Sequence, residues 1–249
     1  MSKFVMNVGY EHQMPDFTVI APDMAEGLTR DKKLPMLWLL HDFGGDSNEW
    51  CRFGNLEGLA RDLNAFIICP TGRVNYYVDS WEYSRYRSFI MEDMWDFVLR
   101  TFPVSTDPQD CFIAGNGMGG YGAVYYMLSY PGRFGHIISF DGDLEAPERF
   151  LSGDKEKFVF PDTFAKDVEY SLKVLIPQHP GNGQGMAIAA RKGHPFYEAN
   201  VRVVECLREN GYKVNFIQQE MQDDWAFWQS ELAHVTGHIR QLLSEKEQA

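Results

Sequence analysis

The stretch "DCFIAGNGMGGYGAVYYMLSY", Asp110 to Tyr130, restricts what this chain can fold into more than any other. "DCFIAG" reads as a buried strand and "AVYYMLSY" as a helix, with a glycine-rich turn between them. Converting a strand into a helix so abruptly brings two backbones close together. It also puts the central residue of the turn at positive φ, which glycine adopts without steric cost. In the form G-x-S-x-G, such a turn holds up a serine at the end of a strand. Here the pattern is Gly115-Asn116-Gly117-Met118-Gly119, with glycine where that serine would stand.

The rest of the chain repeats the same alternation. The runs Met36–Leu40, Ala65–Cys69, Cys111–Gly115, His136–Phe140, Lys173–Pro177 and Val214–Gln218 read as strands. Several are almost continuously apolar, as strands of a parallel sheet buried on both faces are. Helical spacing appears over Met91–Thr101, over Tyr197–Glu209 and over about 224–243, where Trp225, Trp228, Leu232, Val235, Ile239 and Leu242 recur at intervals of three and four. Alternating strands and helices predict a mostly parallel central sheet flanked by helices, an α/β fold. The first ~30 residues are expected to form an antiparallel edge. No linker or repeat divides the 249 residues, so a single domain is expected, with a short cap-like excursion around 144–170 over the C-terminal edge of the sheet.

Charge and cysteine usage narrow the partners. The formal net charge is −12, which argues against nucleic acid and anionic membrane surfaces, since both reward clustered Lys and Arg. No stretch approaches the ~18 apolar residues of a membrane span. Cys51, Cys69, Cys111 and Cys206 are scattered without a CxxC pair, and Cys69 and Cys111 sit within apolar runs. A reduced, cytoplasmic setting is expected. No close spacing of His, Cys, Asp and Glu indicates a metal site, and no cofactor is expected.

Two further stretches join the glycine turn: "HDFGGDSNEW", His41–Trp50, after an apolar strand, and "DDWAFWQSEL", Asp223–Leu232, near the C-terminus. In order and approximate spacing, from about Leu34 to Leu243, the three together resemble the α/β-hydrolase esterases of the tributyrin esterase and S-formylglutathione hydrolase type. The resemblance implies an α/β-hydrolase fold and carboxylesterase chemistry. It also exposes departures. The family's elbow serine falls on Gly117, its catalytic His on Asp223, and its H-G on His41-Asp42. The family's catalytic Asp lies in the loop after the strand equivalent to "KVLIP". That loop, read here as Gln178–Met186, has no acidic residue.

Acyl transfer by this route needs an oxygen nucleophile, a base and a group that orients the base. Gly117 offers no nucleophilic atom. The backbone part of the site can outlast the triad: the resemblance places an oxyanion hole on the Met118 N–H and on an N–H near Asp42 and Phe43. Those donors bond either to water or to a small acyl or anionic ligand. Asp223 or Asp224 reads as the N-cap of the last helix or as a ligand contact, and Trp225, Phe227 and Trp228 as helix packing or a binding box. The Tyr-rich run Asn75–Arg87, with Tyr76 and Tyr77, reads as pocket wall or surface packing. His179 and His194 are the loop histidines where a relocated base could arise. The ligand set expected from the resemblance is therefore His41, Asp42, Phe43, Met118, Tyr76, Tyr77, Asp223 and Trp225, around the degenerate catalytic positions Gly117 and Asp223. The expected function is an esterase relative without its triad, binding a small ligand or regulating a partner. The alternatives are an ester hydrolase that uses unconventional residues and a structural subunit of an esterase-like homo-oligomer.

Overall fold

The computed structural model describes residues 2–7, 16–22, 33–80, 84–151, 169–181, 185–220 and 223–247. Its centre is an eight-stranded sheet. In chain order the strands are β1 (Ser2–Asn7), β2 (Asp16–Ala21), β3 (Met36–Leu40), β4 (Phe66–Pro70), β5 (Cys111–Asn116), β6 (His136–Phe140), β7 (Gly185–Arg191) and β8 (Lys213–Gln219). The spatial order is β1-β2-β4-β3-β5-β6-β7-β8. The β1–β2 and β2–β4 pairs are antiparallel and all the others parallel, so the antiparallel N-terminal edge is as expected. Strands β3, β4 and β5 are buried at every position, which is why they read as unbroken apolar runs.

One face of the sheet is covered by α4 (Met118–Ser129) and by a helical run, α3, that joins Tyr86–Ser88, a π-helical turn Phe89–Met94 and Trp95–Thr101. Every residue of α4 from Met118 to Leu128 is buried, so this helix is apolar all round and sits in the interior. The opposite face is covered by α1 (Glu49–Phe53), α2 (Leu56–Leu63) and α8 (Asp224–Glu247), through Trp50, Leu59, Phe227, Val235 and Ile239 among others. A short α5 (Ala146–Leu151) lies within the stretch 144–170 that was expected to form a cap-like excursion, of which residues 152–168 lie outside the described residues. Helix α7 (Tyr197–Glu209) has the expected bounds, and α8 runs four residues beyond Leu243.

One strand assignment is corrected. Lys173–Pro177 is not a strand but part of helix α6 (Leu172–Gln178). Its buried residues are Leu172, Leu175 and Ile176, at helical spacing. An apolar run of five cannot be told from a helical turn by periodicity, and Pro177 in the last turn gave the run a strand-like stop. The strand that follows is β7, "GMAIAAR", whose alanines hid it. Consequently the stretch Gln178–Met186 runs from the last residue of α6 into the first two of β7 and does not follow a strand. The loop after β7 is 192–196, "KGHPF", which contains His194.

Candidate functional site

The site is built where β3 and β5 end side by side, at Leu40 and Gly115. Gly117 has φ 50 and ψ −113 and opens α4. Glycine is required at Gly119 as well, because a Cβ there would lie 2.3 Å from the Leu40 carbonyl oxygen. The turn is pinned by the Gly117 N–H on the Phe140 carbonyl (3.0 Å) and by the Asp143 N–H on the Gly117 carbonyl (3.0 Å).

The two expected oxyanion donors converge, and the chain itself occupies them. Asp42 Oδ1 accepts the Met118 N–H at 2.8 Å and the Phe43 N–H at 2.7 Å. A Cβ on Gly117 would lie 2.0 Å from the same Oδ1. The Asp42 carboxylate therefore fills the space that a side chain at residue 117 would occupy. Asp42 was legible as a replaced glycine, but its occupation of the donors was not, because no local pattern links positions 42 and 117. Burial raises the Asp42 carboxyl above its ordinary range, while the two N–H donors pull it down.

Two more ionisable groups support this loop. His41 is buried, with Nε2 accepting the Gly72 N–H (2.6 Å) and the Arg73 N–H (3.2 Å). Its Nδ1 lies 2.6 Å from the Asp42 carbonyl and is assigned as the donor from this network. Burial lowers His41 to about 4. Glu49, at the start of α1, accepts the Asp42 N–H at 3.0 Å and the Asn116 side-chain amide at 3.4 Å, and burial raises it to about 7. The sequence reading missed Glu49; Asp42 lies in the loop before α1, so no helical period links the two.

The shifts of His41 and Glu49 have opposite consequences for stability. His41 has an ordinary value of 6.5, so between pH 4 and 6.5 the unfolded chain binds the extra proton and stability rises with pH. Glu49 has an ordinary value of 4.5, so between pH 4.5 and 7 the folded chain binds it and stability falls with pH. The two slopes offset each other in the parent. Glu49→Gln removes the second. We expect this variant, relative to the parent, to lose about 3 kcal/mol of unfolding free energy between pH 6.5 and 4. Urea titrations at both pH values check this, and parallel profiles for parent and variant would contradict it.

At the tips of β6 and β7 the residues form an ion network. Asp141, at φ 41, accepts the Arg191 N–H (2.9 Å) and Nε–H (2.6 Å), and Arg191 reaches Asp224 at 2.7 Å. Arg191 is 1% exposed and lies over the Phe227 ring. Asp143 accepts the Tyr76 hydroxyl at 2.9 Å and pairs with Arg149. Tyr76 and Tyr77 are buried, and Tyr77 donates to the His41 carbonyl at 3.1 Å, so both buttress the loop from inside. Asp223 is exposed and its Oδ1 accepts the Ala226 N–H at 3.3 Å, the cap arrangement. The Trp225 side chain lies outside the described residues. His179 ends α6, its carbonyl accepting the Tyr212 hydroxyl. His194 stands in the loop after β7, 3.9 Å from Asp141 Oδ1, with its Nδ1 accepting the Phe196 N–H at 3.3 Å. Among the described residues, no group of three His, Cys, Asp or Glu could hold a metal ion, and no helix is long and apolar enough to cross a membrane.

A mostly parallel sheet with one reversed strand, β2, next to its edge, and a tight strand-to-helix turn at its centre, define an α/β-hydrolase. The "Putative esterase" family model matches residues 13–238, and the chain belongs to that family. An acetyl esterase of Caldicellulosiruptor saccharolyticus is 25% identical over 220 residues, covering 82% of each chain. Among solved structures, a fluorophosphonate-binding serine hydrolase of Staphylococcus aureus superimposes with a TM-score of 0.82 at 21% identity, over 96% of this chain and 98% of that one. An S-formylglutathione hydrolase from Agrobacterium tumefaciens gives 0.78 at 19% identity, over 96% and 95%. The fold expected from the sequence is thus the observed one.

Proposed function

We propose that this esterase-family chain has lost acyl transfer through a serine and keeps its elbow as a binding site for a small ligand. One observation carries the reading: residue 117 is glycine, and the Asp42 carboxylate lies on the donors that would stabilise a tetrahedral oxyanion. With Asp42 in that position, a substrate carbonyl has no hole to enter. A small acyl or anionic ligand must therefore displace Asp42 to reach the Met118 and Phe43 N–H groups. The Asp223 side chain, spent on a helix cap, supports the same reading. Four free cysteines accord with a reducing, cytoplasmic setting, which belongs to the proposal together with a homo-oligomeric state.

The test is covalent labelling. A fluorophosphonate probe should leave the protein unmodified, and p-nitrophenyl acetate should give no burst. Stoichiometric phosphonylation of any residue at the elbow would sink the reading.

A further inference from the structure

We infer that the chain holds a second small-molecule site, beneath α8 rather than at the elbow, and that it takes a primary amine with an apolar tail. A cavity of about 650 Å³ lies between the last two strands, β7 and β8, and helix α8. Its origin is the composition of β7. Alternate residues of a strand face opposite ways. Met186 and Ile188 enter the core on the α4 side of the sheet, whereas Gly185, Ala187 and Ala189 turn toward α8 and offer almost no side chain. A Cβ added to Gly185 would meet no heavy atom within 4 Å. Phe140, Ile217 and Val235 close the space with apolar side chains.

One acidic group interrupts this lining. Glu231, on α8, is 1% exposed and faces the cavity. Its Oε1 accepts the Gln219 side-chain amide and lies 3.2 Å from His234 Nδ1, whereas no hydrogen bond engages Oε2 among the described residues. A buried carboxylate is costly unless it is fully hydrogen-bonded, and the chain by itself satisfies one oxygen of this one. Lys213 also lines the cavity, but it stands at the opposite end of β8 from Gln219, about 20 Å along the strand, and no ion pair joins it to Glu231.

An amine answers both features. Its tail covers the Gly-Ala floor, where apolar surface is gained, and its N–H donates to Oε2. Burial raises the Glu231 carboxyl, while the hydrogen bonds from His234 and Gln219 pull it down. A basic amine suits either protonation state. An ionised Glu231 receives the ammonium directly. A protonated one loses its O–H proton to the lone pair of the free amine, which becomes the ammonium. Both routes end in the same ion pair, hydrogen-bonded through Oε2. An alcohol of equal length gains only a weaker hydrogen bond, and a carboxylate meets like charge. The formal net charge of −12 also favours the approach of a cation.

Calorimetric titration of the whole protein with n-hexylamine, 1-hexanol and hexanoate tests this. Hexylamine should bind saturably, at least about tenfold more tightly than hexanol, with hexanoate weakest. Glu231→Gln keeps the size of the side chain. It should bring the amine down to the affinity of the alcohol and leave the alcohol unchanged. Ala187→Leu fills the floor with Glu231 still in place, and should weaken amine and alcohol together by at least about tenfold. Circular dichroism establishes that each variant is folded, and the selectivity of the parent and of Ala187→Leu decides the matter should Glu231→Gln fail to fold. No hexylamine binding by the parent, equal affinity for hexylamine and hexanol, or undiminished amine binding by Glu231→Gln or Ala187→Leu would each overturn the site. None of these outcomes involves the elbow, so fluorophosphonate labelling there bears on the loss of serine chemistry alone.

Discussion

Gly117→Ser is expected to lower stability by about 1–3 kcal/mol and to produce no esterase. Two costs combine. A residue with a Cβ must hold φ 50 and ψ −113, and that Cβ would approach Asp42 Oδ1 to 2.0 Å, so the carboxylate must leave its two N–H donors. Asp42→Gly removes the second cost. In a double-mutant cycle the two substitutions should therefore couple favourably by roughly 1–2 kcal/mol. Measured by urea unfolding, additivity would show that Asp42 does not press on residue 117. Esterase activity should still be absent from Gly117→Ser/Asp42→Gly, because triad members act as a unit. It should first appear on adding Asp223→His, and rise when His194→Asp supplies an acid in the loop after β7. Hydrolysis of short esters by Gly117→Ser alone would show that a base is already in place.

Arg191→Met should cost about 3–5 kcal/mol, the largest effect of any single substitution proposed for this chain. The guanidinium is 1% exposed and joins the end of β6, through Asp141, to the start of α8, through Asp224. Removing it strands the Asp141 carboxylate in the interior, at a residue whose φ of 41 already carries strain. It also removes the cation from the Phe227 ring. Arg191→Lys should recover only part of the loss, since an ammonium cannot address Asp141 and Asp224 with separate nitrogens. Chemical denaturation of the three proteins measures this; a loss under 1 kcal/mol for Arg191→Met would contradict a structural role for the network.

The fold was readable because its central strands are buried on both faces and its turns are marked by glycine. Strand β7 was not, since "GMAIAAR" has neither alternation nor a branched apolar run, whereas "KVLIP" has the composition of a strand and folds as a helix. That exchange moved the loop where the resemblance would place the family's acid from 178–186 to 192–196, which contains His194. The elbow's conformation and its donors were legible, because each follows from a few consecutive residues. The contents of the hole were not. Asp42, Glu49 and Gly117 meet only because β3 and β5 are neighbours, and Arg191 meets Asp141 only because β6 and β7 are. Pairings set by sheet order leave no mark on local spacing.

The fit between Asp42 and Gly117 also imposes a direction on their history. A chain with serine at 117 and glycine at 42 can lose the serine first at no steric cost and then fill the vacated space with a carboxylate. The opposite order passes through a protein that holds both side chains in a space sized for one. Once the carboxylate is in place, a serine returning at 117 meets it and carries a cost in stability. The elbow thus works as a ratchet, and relatives that carry glycine at both positions are the intermediates such a path requires.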